Sequence, residues 1–250
     1  MRFLYVAPRY HTNQVPIIRG LKRKGHEVCF LSQYAGKVED YSDLTPTVIG
    51  YSRIFLFFDR IYVALMKNRD AYAGDRKMKC GFPPIGKLKR AIRDSHGDVA
   101  ILRERSVYSI CAYLLCKKYK IPAILYNQSP LWEDCIKNDP AHRLMRLLTP
   151  AVRMTPVMGV QDGRKVKETG AAFVPFVMEP EQKAEEKRWI KDGITHIFSI
   201  GKYEERKNHR MLVEIVEELS AVSKIHLTIA GERTTSAHQA YYDRLAAYIA

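Results

Sequence analysis

Lys202 and Lys207, five positions apart, follow Gly201 at the end of an apolar run, and a helix-period segment opens at Asn208. Cations and the free amides of a helix N-terminus then converge beyond a strand's carboxyl end, where a phosphate is well held. Such a group would grip a diphosphate and stabilise the charge that develops as it leaves. The competing reading is a solvated loop in which Arg206 and Lys207 balance Glu204 and Glu205.

Three more apolar runs end in amides and cations. Arg9, His11, Asn13 and Gln14 follow the first, Arg103 and Arg105 another, and Asn127 and Gln128 a third. Sugar hydroxyls need such paired donors and acceptors, so these positions point to polar recognition of a sugar or a phosphate. The alternatives are that Asn13 caps the helix after it and that Arg103 and Arg105 are ion-paired with Glu104 or a neighbouring acid.

Other chemistries are excluded more firmly. The eight histidines show no H-x-x-x-H spacing and the five cysteines no C-x-x-C pair, so no metal site is expected and the cysteines read as reduced thiols of a cytosolic protein. No G-x-S-x-G elbow of a serine hydrolase occurs. Neither G-x-G-x-x-G nor G-x-x-x-x-G-K-[ST] is present, which disfavours other nucleotide-dependent α/β enzymes. No cofactor is expected.

The net charge of +14 is unevenly placed: residues 1–180 hold 30 Lys and Arg against 16 acids, whereas residues 181–250 hold 11 of each. A basic first part attracts anionic partners. The densest stretch runs from Lys67 to Arg93, with Tyr72, Met78, Phe82 and Ile85 interleaved. A second helix-period segment sets Leu144, Leu147 and Leu148 on one face beside Arg143 and Arg146. Both suit an anionic membrane surface or a lipid-diphosphate acceptor, against the alternative of a solvated basic face. No recognised nucleic-acid module accompanies the charge, so nucleic acid is not expected as a partner. No stretch of eighteen apolar residues is present, and the location expected is the cytoplasm, peripheral on the inner face of the membrane.

The elements that must position these residues alternate. Strands are expected at Arg2–Ala7, Glu27–Ser32, Val99–Arg103, Ala123–Asn127, Arg153–Val157, Ala172–Phe176, His196–Gly201 and Ile225–Gly231. Helices are expected at Gln14–Lys24, Arg53–Arg69, Lys87–Ser95, Val107–Tyr119, Ala141–Leu148, Asn208–Ser220 and Ser236–Ile249. Nearly all-apolar strands between amphipathic helices imply an α/β fold with parallel sheets covered on both faces, and ligands of such folds gather at the strands' carboxyl ends. The polar stretch 179–188 places a domain boundary near residue 180, giving domains 1–180 and 181–250.

The segment from Phe198 to Leu212, through Gly201-Lys202-Tyr203-Glu204-Glu205-Arg206-Lys207-Asn208-His209, resembles the start of the donor-binding domain of retaining glycosyltransferases of family 4, which have the GT-B fold. Leu227-Thr228-Ile229-Ala230-Gly231-Glu232 resembles that family's next strand, Phe173–Val177 the crossover into the second domain, and Lys24–Val28 the turn after the first helix. The family usually has Arg where Lys202 stands, which here loses the guanidinium fork, and often Gly where Asn208 stands. Its first loop often carries a Gly-Gly pair that Pro8–Gln14 lacks, and a polar residue, often His, follows the strand ending near Asn127. The family's paired glutamates would fall beyond Ala250, so 181–250 is expected to be only the beginning of the donor domain.

The resemblance implies a Rossmann-like acceptor-side domain followed by the first part of a second Rossmann-like domain. It further implies an enzyme that moves a hexose, with retention, from a nucleotide diphosphate sugar to a glycan or lipid-linked acceptor in polysaccharide or glycolipid biosynthesis. Gly201, Lys202, Lys207, Asn208, Gly231 and Glu232 would hold the donor, with Lys202 and Lys207 acting on its diphosphate. Arg9, His11, Asn13, Gln14, Arg103, Arg105, Asn127 and Gln128 would line the acceptor side. The rival is a catalytically inactive, basic α/β module that binds a membrane or a partner protein.

Overall fold

The computed structural model describes residues 1–36, 39–65, 76–104, 106–128, 140–156, 160–161, 164–165, 171–177, 189–233 and 235–250. The chain forms two compact units, Met1–Glu179 and Pro180–Ala250.

The strands of the first unit are β1 (Arg2–Ala7), β2 (Glu27–Ser32), β3 (Thr47–Val48), β4 (Val99–Arg103), β5 (Ala123–Tyr126), β6 (Val152–Thr155), a short hairpin of β7 (Val160–Gln161) and β8 (Arg164–Lys165), and β9 (Ala171–Phe173). Seven of them make one sheet in the order β3-β2-β1-β4-β5-β6-β9, with every neighbouring pair parallel. The order turns at β1 and β4, the topological switch point at which open α/β sheets leave a crevice for ligands. Helices α1 (Val15–Arg23), α2 (Arg53–Leu65), α3 (Ile85–Asp94), α4 (Val107–Lys118) and α5 (Pro140–Leu148) lie between the strands in sequence.

Alternation along β1 shows why its run is apolar throughout. Leu4 and Val6 enter one core with Leu31, Leu88, Ile92, Leu102, Ala112 and Leu125, while Tyr5 and Ala7 enter the opposite one with Val15, Ile18 and Phe30. Both faces are therefore dry, as a parallel sheet between helices requires. Gly25, at φ +76°, ends α1: its amide donates to the Lys22 carbonyl at 2.9 Å and that of His26 to Leu21 at 3.0 Å, a closing pair that favours a residue without Cβ. Of the described cysteines, Cys29, Cys80, Cys111 and Cys116 are free thiols. Burial pushes the Cys116 thiol up to about 12, so it stays protonated.

In the second unit, β10 (Ile190–Lys191) runs antiparallel to β11 (Ile194–Ile200), which is parallel to β12 (Ile225–Ala230). Helices α6 (His209–Ser220) and α7 (Ser236–Ile249) complete it. Thr235 caps α7 by accepting the His238 amide at 3.1 Å. Tyr203, Tyr241 and Leu245 form its small core with Val213, Ile229 and Tyr242.

The α/β alternation expected from the sequence is present, with differences at element ends and edges. Gln14 lies outside α1, in a 3₁₀ turn at Thr12–Gln14. β5, β11 and β12 stop one residue earlier than expected, at Tyr126, Ile200 and Ala230, although the Asn127 and Gly201 amides still donate to the neighbouring strands. β6 and β9 each start one residue earlier than expected and end at Thr155 and Phe173, while Val157 lies outside the described residues. The two-residue β3, the β7–β8 hairpin and the antiparallel β10 were not expected, being too short to show a period. The continuation of α2 to Arg69 and the boundary stretch at 179–188 fall wholly or largely outside the described residues.

Leu102 is fully buried at the centre of the larger core. Leu102→Ala should cost about 2–5 kcal/mol, read as a lowered urea midpoint with an unchanged slope.

Candidate functional site

The carboxyl ends of β1, β4 and β5 share one rim of the first sheet. After β1, the capping residue is His11 and not Asn13. The His11 Nδ1 accepts the Asn13 amide at 3.4 Å, and the Gln14 Oε1 accepts the His11 amide at 2.9 Å. The turn thus closes as a capping box that also uses up Gln14, which is buried. The Asn13 Oδ1 is buried without a hydrogen-bond partner. Arg9 is paired with Glu39 at 2.5 Å, and that carboxylate side chain is only 3% exposed.

After β4 and β5 the groups divide. Glu104 is buried, accepting from the Asn127 Nδ2 at 2.9 Å and from the Arg153 Nε at 2.8 Å. Arg153 also donates to the Ala151 and Thr149 carbonyls, at 3.2 and 3.3 Å. This three-member network ties the ends of β4, β5 and β6 together. The partner of Glu104 is therefore Arg153, a cation that sequence spacing did not single out because it lies 49 residues away and inside a strand. Asn127 is buried and committed to this network. Gln128 is exposed, accepting from the Arg103 Nη2 at 2.8 Å, and the Arg103 guanidinium lies 5.3 Å from the Tyr126 ring centre. Arg105 lies outside the described residues. At the start of α4, Ser106 accepts the Ser109 amide at 3.0 Å, so that helix end carries its own cap.

The second unit holds the other candidate. A Cβ on Gly231 would meet the Gly201 carbonyl oxygen at 1.9 Å and the Gly201 carbon at 3.0 Å. Only glycine allows the two turns after β11 and β12 to approach this closely. The Gly201 amide donates to the Ala230 carbonyl at 2.9 Å, continuing the ladder to that point. The Lys207 stem lies across Gly201, with its Cδ 3.3 Å from where a Cβ would stand.

Below this turn, the His209 ring is 2% exposed and its Nε2 donates to the Lys202 carbonyl at 3.1 Å. Because a carbonyl can only accept, Nε2 carries a hydrogen, while Nδ1 is buried without a hydrogen-bond partner among the described residues. Tyr203 is buried, donates to the Ile229 carbonyl at 3.1 Å, and packs edge-on against Tyr242. Asn208 sits at φ 49°, ψ 42°, the left-handed conformation that asparagine tolerates better than most residues, and so the helix can begin there without glycine.

The expected charge balance in this loop is met differently. Arg206 pairs with Glu204 at 2.5 Å, and Glu205 pairs with Arg244 at 2.6 Å, not with Lys207. Lys202 and Lys207 are both exposed, and among the described residues no acid pairs with either. Two uncompensated cations therefore flank a glycine turn just ahead of the twelve-residue helix α6. The Glu232 backbone carbonyl lies at hydrogen-bond range, 3.5 Å, from the Tyr203 amide, and its side chain is exposed. A largely apolar cavity of about 760 Å³ bounded by α6, α7 and β12, lined in part by Val213, Val216, Ile229, Leu245 and Ile249, has no cation among its described lining residues. Among the described residues no group of three or more His, Cys, Asp and Glu could hold a metal ion, and no helix is long and apolar enough to cross a membrane.

No protein-family model and no curated protein matches the sequence. The fold does match solved structures. The glycotransferase of kitacinnamycin aligns with a TM-score of 0.56 at 14% identity, over 94% of this chain and 67% of the other. An α,α-trehalose-phosphate synthase (UDP-forming) from Burkholderia vietnamiensis gives 0.53 at 14% identity, over 99% and 69%. A putative UDP-N-acetylglucosamine 2-epimerase from Listeria monocytogenes gives 0.52 at 10% identity, over 98% and 66%. At these identities the likeness is one of fold alone, and the chain spans about two thirds of the length of these structures. The seven-stranded parallel sheet with a smaller second sheet matches part of the GT-B fold.

The network at the rim of the first unit predicts a sharp contrast. Glu104→Gln removes the buried charge that pairs with the largely enclosed Arg153 and should cost about 3–5 kcal/mol. Gln128→Ala, at an exposed position, should stay within about 0.5 kcal/mol of wild type. Equal losses in chemical denaturation would contradict the division between supporting and rim residues.

Proposed function

We propose that this chain is the acceptor-side domain and the opening of the donor domain of a glycosyltransferase similar to retaining family 4, using a nucleotide diphosphate sugar. The observation that carries the reading is the Gly201–Asn208 turn. Among the described residues no acid pairs with Lys202 or Lys207, Gly231 and Gly201 are in backbone contact, and a helix opens directly after the turn. Fold neighbours described as a glycotransferase, a UDP-forming synthase and a UDP-sugar epimerase support a nucleotide-sugar ligand.

In this proposal Lys202 and Lys207 neutralise the diphosphate as the bond from the anomeric carbon to its oxygen breaks. The acceptor hydroxyl oxygen forms the new bond to that carbon, and its proton passes to the departing diphosphate. No covalent nucleophile on the protein is required. Glu232 and Asn208 border the donor, while Arg103, Gln128 and the Arg9–Gln14 turn face a glycan or lipid-linked acceptor. Asn127 acts indirectly, by holding Glu104. The expected site of action is the cytoplasmic face of a membrane.

The rival, an inactive basic binding module, draws support from the internal pairing of Arg9 with Glu39 and of Asn127 with Glu104, which leaves fewer groups on the first unit's rim for a substrate.

Calorimetric titration with UDP-glucose separates the two. A bound diphosphate should lose about 1.5–3 kcal/mol with either Lys202→Ala or Lys207→Ala, a rise in Kd of ten- to hundred-fold. Absence of binding by the wild-type chain to UDP- and GDP-hexoses alike would favour the non-enzymatic module.

A further inference from the structure

Helix α2 is built the wrong way out for a core helix. Of its thirteen residues, Arg53–Leu65, only Asp59 is buried, and its carboxylate is held by Arg76 at 2.5 Å and Lys77 at 3.3 Å. The Arg76 guanidinium also covers the Tyr62 ring at 4.0 Å. The one fully buried side chain of the helix is thus a paired charge, with Phe55 and Leu56 half-buried beside it. At 100° per residue, Ile54, Phe57, Phe58, Ile61 and Leu65 fall in one stripe on the side opposite Asp59. They are 73%, 61%, 62%, 41% and 75% exposed. Five large apolar side chains in a continuous row at the surface mark an interaction site, not scattered exposure.

The charge around the stripe selects the partner. Arg53 and Arg60 run along one edge of it, and both are exposed. Among the described residues from 53 to 90, every exposed charged side chain is cationic: Arg53, Arg60, Lys79, Lys87, Lys89 and Arg90. The Ser52 amide donates to the Phe82 carbonyl at 2.8 Å, so the segment leading to α3, with Phe82 and Ile85 exposed, adjoins the start of α2. Thirteen residues span about 20 Å as a helix, too short to cross a bilayer but well suited to lie in its surface. An apolar stripe edged by Arg53 and Arg60, with no exposed acid among the described residues from 53 to 90, is the pattern of a helix that beds at the headgroup boundary of an anionic leaflet.

We propose that α2 docks the first unit on an anionic lipid surface, with Ile54, Phe57, Phe58, Ile61 and Leu65 entering the headgroup–acyl boundary and Arg53 and Arg60 meeting lipid phosphates. This gives the membrane association expected from the sequence a specific face, and it stands apart from the nucleotide-sugar reading: failure of UDP-glucose to bind would leave it untouched.

The test is co-sedimentation with vesicles of phosphatidylcholine alone and of phosphatidylcholine mixed with phosphatidylglycerol. The wild-type chain should pellet with the anionic vesicles, only weakly with the neutral ones, and less as salt rises. Phe57→Ser/Phe58→Ser should cut anionic-vesicle binding at least about ten-fold, and Leu65→Ser, at the far end of the stripe, should cut it several-fold. The thermal midpoint and UDP-glucose titration of both variants should match wild type. Arg53→Gln/Arg60→Gln should flatten the salt dependence. Unchanged pelleting of the Phe variant, or no pelleting of the wild type, overturns the proposal. So does a lipid-free wild-type dimer in sedimentation velocity that the Phe variant dissociates, since the stripe would then belong to a second copy of the chain.

Discussion

Every neighbouring pair in the seven-stranded sheet runs parallel, and most of the first unit's organisation depends on that direction. A parallel strand cannot return by a tight turn, so the chain must cross a face of the sheet between strands. Strand faces buried on both sides then call for apolar residues at every position, as in Leu4-Tyr5-Val6-Ala7. The same direction brings the carboxyl ends of β1, β4 and β5 to one rim, where Arg9, Arg103 and Gln128 are found. In the second unit the parallel pair β11–β12 sets Gly201 beside Gly231, and the lack of a Cβ on Gly201 leaves room for the Lys207 stem to cross the turn.

Polar groups at these strand ends have two fates. Those of the first unit are largely spent inside it: Glu104 satisfies Asn127 and Arg153, Glu39 takes the charge of Arg9, and Gln14 closes the His11 capping box. Buried charge of this kind stays only when paired, and so the network reads as support for the rim. The second unit differs. There Glu204 pairs with Arg206 and Glu205 with Arg244, and among the described residues no acid pairs with Lys202 or Lys207. Two cations left without acids beside a helix start favour an anion from solution.

Much of this was legible in the sequence because long apolar runs and amphipathic periods are strong signals. β1, β2 and β4 begin and end where the residue pattern placed them. The misses have physical causes. Two-residue strands such as β3 and β10 carry no period to read. The role of Asn127 depends on Glu104, 23 residues away, whose other partner Arg153 is brought close by strand pairing. The left-handed backbone at Asn208 explains why asparagine can stand where glycine is the more usual choice, but the residue type alone does not reveal the conformation. For α2, the periodicity announces a helix, whereas which side faces outward is settled by the burial of Asp59 against Arg76 and Lys77.

The central claim is that the Gly201–Asn208 turn receives the diphosphate of a nucleotide sugar. The most direct check is a residue-resolved amide NMR titration of the chain with UDP. With the diphosphate held in this turn, the largest shifts fall on the amides of Gly201, Lys202 and Lys207 and on the first turn of the following helix, His209–Met211. Shifts confined to the Arg9–Gln14 turn and the ends of β4 and β5, or no shifts at saturating UDP, would contradict it.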